Sequence, residues 1–70
     1  MINKNAKIYI AGHRGMVGSA IWRTLEKQGY TNLIGKTSKE LDLRNQQEVL
    51  EFLEAEKPEI IIDAAAKVGG

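Results

Sequence analysis

Gly12, Gly15 and Gly18 recur at intervals of three in the stretch GHRGMVG, with Arg14 between the first two. An apolar run, Lys7 to Ala11, precedes them and a helical pattern follows. Such a strand-to-helix corner presents backbone N–H groups and the positive end of a helix to an anion. In a βαβ unit the first glycine permits the turn, the second admits a pyrophosphate to the backbone, and the third lets helix and strand pack closely. Gly12, Gly15 and Gly18 fit those jobs in order. A tight turn without a ligand would use the same residues; the βαβ setting favours the phosphate. A Walker-type loop is excluded, because Ser19, and no Lys-Ser or Lys-Thr pair, follows the last glycine.

The second group of candidates lies in GKTSK, residues 35–39. Proteins that select NAD place an acidic residue near the end of strand two, about 20 residues beyond the glycine loop, to bind the ribose 2′-hydroxyl. Here no carboxylate appears until Glu40. Arg14 lies on the side where a 2′-phosphate would hang, and a guanidinium grips phosphate with two parallel hydrogen bonds. Lys36, Ser38 and Lys39 add charge and further donors, although each lysine also reads as a solvated loop charge. NADP(H) is therefore favoured over NAD(H).

The elements that must position these residues alternate strictly. Lys7 to Ala11 reads as a buried strand. From Met16 to Gln28, the positions Val17, Ala20/Ile21, Thr24/Leu25 and Gln28 repeat near 3.6 residues and predict a helix buried on that side. Gly29 is placed to end it. Residues 32–35, NLIG, predict a short second strand. Asn45 and Glu48 have capping-box spacing and open a second helix, with Val49, Leu50, Phe52 and Leu53 as its buried side. Pro58 lies beyond its end, and EIIID, residues 59–63, predicts a strand covered on both faces. Strand, helix, strand, helix, strand with long connections predicts an α/β fold: the parallel βαβαβ half of a doubly wound, Rossmann-type sheet. The usual 3-2-1 order would put both helices on one face and leave strand one with an unpaired edge.

Composition narrows the partners. Seventy residues make one small domain, and a net charge of +1 gives no global field toward nucleic acid or anionic membrane. With no cysteine there is no disulfide framework or thiolate metal site. The apolar runs fall far short of the roughly 20 residues of a membrane span, and MINKNAK lacks a signal-peptide core. A soluble cytoplasmic chain is expected, binding neither nucleic acid nor membrane. His13, the single histidine, cannot build a metal site and is read as shaping the glycine turn. Trp22 lies opposite the apolar stripe of helix one and is expected to pack on something outside this chain. Asp63 is assigned to a turn or cap.

GHRGMVGSAI, LDLRN and the terminal AAAKVGG together resemble the N-terminal segment of the GDP-L-fucose synthase family, extended short-chain dehydrogenases/reductases. The resemblance runs from about Lys7 to Gly70. It implies a doubly wound sheet binding NADP(H), a smaller C-terminal domain binding a GDP-sugar, and a homodimer. It also implies epimerisation of GDP-4-keto-6-deoxy-D-mannose at C3 and C5, followed by hydride delivery to C4. Carried over position by position, His13, Met16 and Val17 join the glycines and Arg14 in the cofactor loop. Glu40 and Leu41 lead into a pair in which Asp42 accepts from the adenine amine and Leu43 covers the ring; the alternative reading is that Asp42 starts a turn and Leu43 belongs to the core. Ala64, Ala65 and Ala66 are small where the pyrophosphate and nicotinamide ribose approach, and Lys67 to Gly70 match the turn beside the nicotinamide. The family's second basic contact is commonly an arginine; lysines and Ser38 stand here instead. Its Ser-Tyr-Lys set and its epimerase acid/base pair have no counterpart in these residues. Neither Tyr9 nor Tyr30 belongs to a Tyr-xxx-Lys arrangement. Two readings stay open: part of a nucleotide-sugar epimerase/reductase, or a non-catalytic NADP-binding or redox-sensing module.

Overall fold

The computed structural model describes residues 3–65. It contains β1 (Ile8–Ala11), α1 (Met16–Lys27), β2 (Leu33–Ile34), α2 (Gln46–Glu56) and β3 (Ile60–Asp63), in that order. The strands form one parallel sheet in the order β2-β1-β3. This is the expected α/β half-sheet with a different strand order: β3 lies beside β1, on the side away from β2. The reason is a match of lengths. Only two residues of β2 pair with β1, whereas β3 pairs with all of β1, from Ile8↔Ile60 to Ala11↔Asp63.

The strand order decides where the helices go. Right-handed crossovers running first one way and then the other across the sheet place α1 and α2 on opposite faces. On the α2 face, the Phe52 ring packs 4.8 Å from that of Tyr9, and Val49 and Leu53 close over Tyr9, Ala11 and Leu41. Such an aromatic pair contributes about 1 kcal/mol beyond its buried area. Ile8 and Ile10 point to the other face and are fully buried. β1 is thus covered on both faces and paired on both edges. β3 departs from the expectation of two covered faces, since Ile61 and Asp63 are exposed.

Helix ends follow the local chemistry closely. At the end of α1, Gly29 takes φ +98 and donates to the Glu26 carbonyl at 3.0 Å, while Tyr30 N–H reaches the Leu25 carbonyl at 3.0 Å. That is a Schellman turn. Lys4 Nζ donates to the Gln28 carbonyl at 2.6 Å and stands 4.2 Å over the Tyr30 ring. At the start of α2, Asn45 Oδ1 accepts from Glu48 N–H at 3.2 Å. Glu48 Oε2 accepts from the Asn45 side-chain amide at 2.8 Å, because the Asn45 backbone N–H is already engaged by the Asp42 carbonyl. At the other end, Lys57 adopts the left-handed conformation before Pro58, and Lys7 Nζ donates to the Glu56 carbonyl at 2.9 Å.

The apolar stripes are covered only in part. The one α1 residue that is fully buried is Gly18. Ile21 and Leu25 are half-buried, Ala20 and Thr24 are exposed, and Val17 is 61% exposed. With Met16 these residues line an apolar groove. On α2, Leu50 is exposed where burial is expected. Among the described residues no helix is long and apolar enough to cross a membrane.

Candidate nucleotide-binding site

The three glycines occupy the corner between β1 and α1, and the structure gives each a different reason for being glycine. Gly12 has φ +77, and a Cβ there would lie 2.8 Å from the Ala65 nitrogen and 3.0 Å from the Ala64 carbonyl carbon. Both the turn and the approach of the chain leaving β3 demand it. A Cβ on Gly18 would overlap the Gly12 carbonyl oxygen, so contact between α1 and the corner requires a bare backbone. Gly15 differs. Its φ −76 and ψ 173 suit any residue, and a Cβ would meet only the Gly12 carbonyl oxygen, at an ordinary 3.4 Å. The fold does not ask for glycine at position 15.

Gly15 is also the N-cap of α1. It provides no side-chain cap, and the first turn has no acidic residue. The Gly15 N–H closes the turn onto the Gly12 carbonyl at 3.0 Å, and Ser19 N–H begins the helical ladder on the Gly15 carbonyl. Among the described residues, the N–H groups of Met16, Val17 and Gly18 meet no protein acceptor. Open donors, the positive end of a helix and a vacant side-chain position at Gly15 are what a phosphate requires.

A concave space of about 210 Å³ joins this corner to the segment after β2 and is lined by Gly12, His13, Arg14, Gly15, Lys36, Thr37 and Ser38. Arg14, Lys36 and Ser38, far apart in sequence, therefore surround one cavity. Thr37 was not a sequence candidate, though it stands between two that were. Met16 and Val17 start α1 with exposed side chains outside that lining. Lys39 is exposed and Glu40 is engaged elsewhere: its Oε1 accepts from Thr37 N–H at 2.9 Å, and its own N–H donates to Thr37 Oγ1 at 3.3 Å. Those bonds hold the Glu40 carboxyl below the ordinary carboxylate range. Leu41 is buried with Tyr9 and Ala11, so its side chain belongs to the core.

Asp42 and Leu43 lie apart from the Arg14 cavity. Asp42 Oδ1 accepts from Arg44 N–H at 3.0 Å and from Arg44 Nε at 3.2 Å, which lowers the Asp42 pKa. The pair is solvent-exposed and contributes little to stability. Leu43 is exposed and, with Gln46, Val49 and Leu50, lines a shallow apolar hollow. At the end of β3, Ala64 N–H donates to the Ala11 carbonyl at 2.9 Å, and Asp63 Oδ1 accepts from Ala65 N–H at 3.1 Å. Asp63 thus has the turn role expected of it. Burial of Tyr9, and secondarily the charge of Asp63, raise the Tyr9 pKa. Ala66 and the stretch Lys67–Gly70 lie outside the described residues.

His13 and Trp22 meet inside the chain. Their ring centroids are 5.5 Å apart, and the His13 ring lies against Gly35, directly after β2. Trp22 therefore packs on the glycine loop and not, as its position opposite the stripe suggested, on something beyond this chain. Periodicity could not reveal this, because the contact runs from a helix to a turn. The loop stands at the carboxyl ends of β1 and β3, where the crossovers part to opposite faces. Open α/β sheets bind their ligands in that crevice.

Comparison with known proteins agrees with this geometry. The NAD dependent epimerase/dehydratase family matches residues 8–70. A putative GDP-L-fucose synthase 2 of Arabidopsis thaliana is 59% identical over 70 residues, covering all of this chain and 21% of its own length. The GDP-L-fucose synthase of Escherichia coli K12 is 48% identical over 64 residues, 91% of this chain and 20% of its own. Among solved structures, MlghC, a GDP-mannoheptose C4 reductase from Campylobacter jejuni with NADP bound, superposes with a TM-score of 0.92. It is 47% identical, over 100% of this chain and 22% of that one. The chain spans about a fifth of the length of these relatives. A parallel sheet with a glycine corner at its crevice and a family match along nearly all its residues agree: the chain belongs to the NAD-dependent epimerase/dehydratase family.

Proposed function

We propose that these residues hold the adenosine-phosphate half of NADP(H) in a nucleotide-sugar epimerase/reductase that converts GDP-4-keto-6-deoxy-D-mannose to GDP-L-fucose. The observation that carries the cofactor reading is the cavity in which Arg14, Lys36 and Ser38 face the open side of Gly15, with no carboxylate in its lining. Gly15 and the N–H groups at the start of α1 receive the pyrophosphate. Arg14 grips the 2′-phosphate, with Lys36, Thr37 and Ser38 around it and Lys39 nearby. Asp42 and Leu43 meet the adenine, and Ala64 and Ala65 leave room for the pyrophosphate and the nicotinamide ribose. Bound NADPH supplies the hydride for reduction at C4.

The substrate reading rests on the relatives: the curated ones cited are GDP-L-fucose synthases, and the structural neighbour reduces another GDP-sugar. On this reading the whole protein is a cytoplasmic homodimer that epimerises at C3 and C5 before it reduces.

Arg14→Ala in the full-length protein tests the cofactor assignment. Loss of a charge-assisted phosphate contact costs about 1.5–3 kcal/mol, roughly ten- to a hundredfold in affinity. Titration should show that loss for NADPH and little change for NADH. Equal weakening of both would remove Arg14 from the 2′-phosphate. NADPH oxidation by the full-length protein with GDP-4-keto-6-deoxy-D-mannose, and identification of the product as GDP-L-fucose, tests the substrate. Turnover only with a 4-keto heptose nucleotide would replace the sugar and keep the cofactor.

A further inference from the structure

The first carboxylate after β2 is tied into a turn. Glu40 Oε1 accepts from Thr37 N–H at 2.9 Å, and Glu40 N–H donates to Thr37 Oγ1 at 3.3 Å and to the Thr37 carbonyl at 3.0 Å. Leu41 N–H donates to the same carbonyl at 2.9 Å. Thr37 and Glu40 are thus the two halves of a complete capping box, at the spacing T-x-x-E. Such a box ordinarily opens a helix. Here it closes a single turn onto Leu41, which is buried beside Tyr9 and Ala11, and no helix begins before Gln46. What the box secures is the turn itself and the residues that enter it.

Those residues carry one side of the cavity. Lys36, Thr37 and Ser38 line it together with Arg14 and the glycine loop, while Glu40 does not reach the lining. Among the described residues, the protein's hydrogen bonds to residues 36–40 all have Thr37 as one partner. Without the Glu40 carboxylate, the Thr37 N–H has no acceptor among the described residues, and the backbone entering the turn is released. We infer that Glu40 is a positioning residue for the 2′-phosphate, whose carboxylate bond to Thr37 N–H holds Lys36, Thr37 and Ser38 in place as a wall of the cavity. The inference rests on the NADP(H) reading of that cavity. It adds that an acid beside an anion site serves the site by accepting a hydrogen bond, since its charge alone would oppose a phosphate. The Thr37 bonds, and more weakly the charges of Lys36 and His13, hold the carboxyl below the ordinary carboxylate range and keep it an acceptor.

The test uses the full-length protein as wild type, Glu40→Gln, Glu40→Asp and Glu40→Ala. NADPH and NADH dissociation constants are read by fluorescence titration, and the thermal midpoint is recorded for each. Glutamine keeps the acceptor at the same reach and removes the charge; aspartate keeps the charge and shortens the reach by a methylene. Capping boxes accept Glu or Gln at this position. Glu40→Gln should therefore bind NADPH as the wild type does, or more tightly. Glu40→Asp and Glu40→Ala should weaken NADPH about tenfold, the scale of one charge-assisted phosphate contact, with NADH little changed.

The opposite order, with aspartate like the wild type and glutamine like alanine, would assign the effect to charge and overturn the inference. Equal weakening of NADPH and NADH would overturn it as well, because a merely structural turn does not distinguish the two cofactors. So would wild-type NADPH affinity in all three variants, whatever their midpoints. Should Glu40→Ala fail to fold, the Gln and Asp variants decide alone. A wild-type protein that binds NADH as tightly as NADPH overturns the cofactor reading itself, before any variant is compared.

Discussion

The two helices begin in opposite ways. α2 starts on Asn45, whose side-chain Oδ1 accepts from Glu48 N–H while Glu48 Oε2 accepts from the Asn45 side-chain amide in return. Thr37 with Glu40, and Asp42 with Arg44, lock the segment before it. α1 starts on Gly15, with no cap and no acid in its first turn. One connection satisfies its backbone with side chains; the other removes side chains and leaves its donors open. A helix N-terminus carries a partial positive charge in either case. At α2 the protein neutralises that charge itself; at α1 no capping or acidic side chain does so, which leaves the charge open to the phosphates proposed to bind there. The ligand site is therefore recognised less by what the corner contains than by what it withholds.

The largest effect that would sharpen this contrast is Gly18→Ala. The added methyl overlaps backbone, which cannot step aside like a side chain, and should cost about 3 kcal/mol of stability. Chemical denaturation of the full-length protein would measure it, and an unchanged midpoint would mean that α1 and the corner are not in close contact. Gly15→Val comes next and should act on a different observable. Stability should fall by only about 1 kcal/mol, the cost of a β-branched residue at an N-cap whose backbone it can otherwise adopt. NADPH affinity should fall roughly a hundredfold, about 2.7 kcal/mol. A folded variant that binds NADPH within a few-fold of wild type would return the corner to a merely structural role.

Asn45→Ala should have the smallest effect, about 1 kcal/mol of stability, since it removes one cap. NADPH affinity should not change. A large loss of affinity in this variant would break the contrast, because it would make the capped helix part of the site.

Element types and order were legible in the sequence because they depend on local signals: the 3.6-residue repeat, Gly29 as a stop, Asn45 with Glu48 as a start. The strand order was not. Nothing within EIIID says which neighbour it takes, although its four paired residues match β1 and exceed the two that β2 offers. The extent of burial was legible only in part. Periodicity identifies the apolar side of a helix but not what covers it, so Val17 and Leu50 were expected inside and lie exposed.

At the site, the glycine spacing and the missing acid could be read directly, because each is a statement about a residue type. The clamp of His13 by Trp22 and Gly35 could not. It joins three segments and appears in sequence as one unremarked glycine after β2. Leu41 shows the converse: a resemblance placed it with the cofactor, and packing beside Tyr9 gives its side chain to the core.

The lysines beneath the sheet have an electrical consequence. Lys4 sits on the last carbonyl of the α1 turn and Lys7 on that of α2, so the negative ends of both helices are compensated at the amino edge of the strands. At the opposite edge Glu48 compensates α2, and the start of α1 stays positive beside Arg14 and Lys36. A chain of net charge +1 thus carries an uneven field that its total charge conceals. For a polyanionic ligand that field acts during diffusion, before any contact forms, and orients the phosphates toward the crevice. Added salt shortens its reach, to about 8 Å at physiological ionic strength. Capture should accordingly slow as ionic strength rises, and more steeply for NADPH than for NADH, which carries less negative charge.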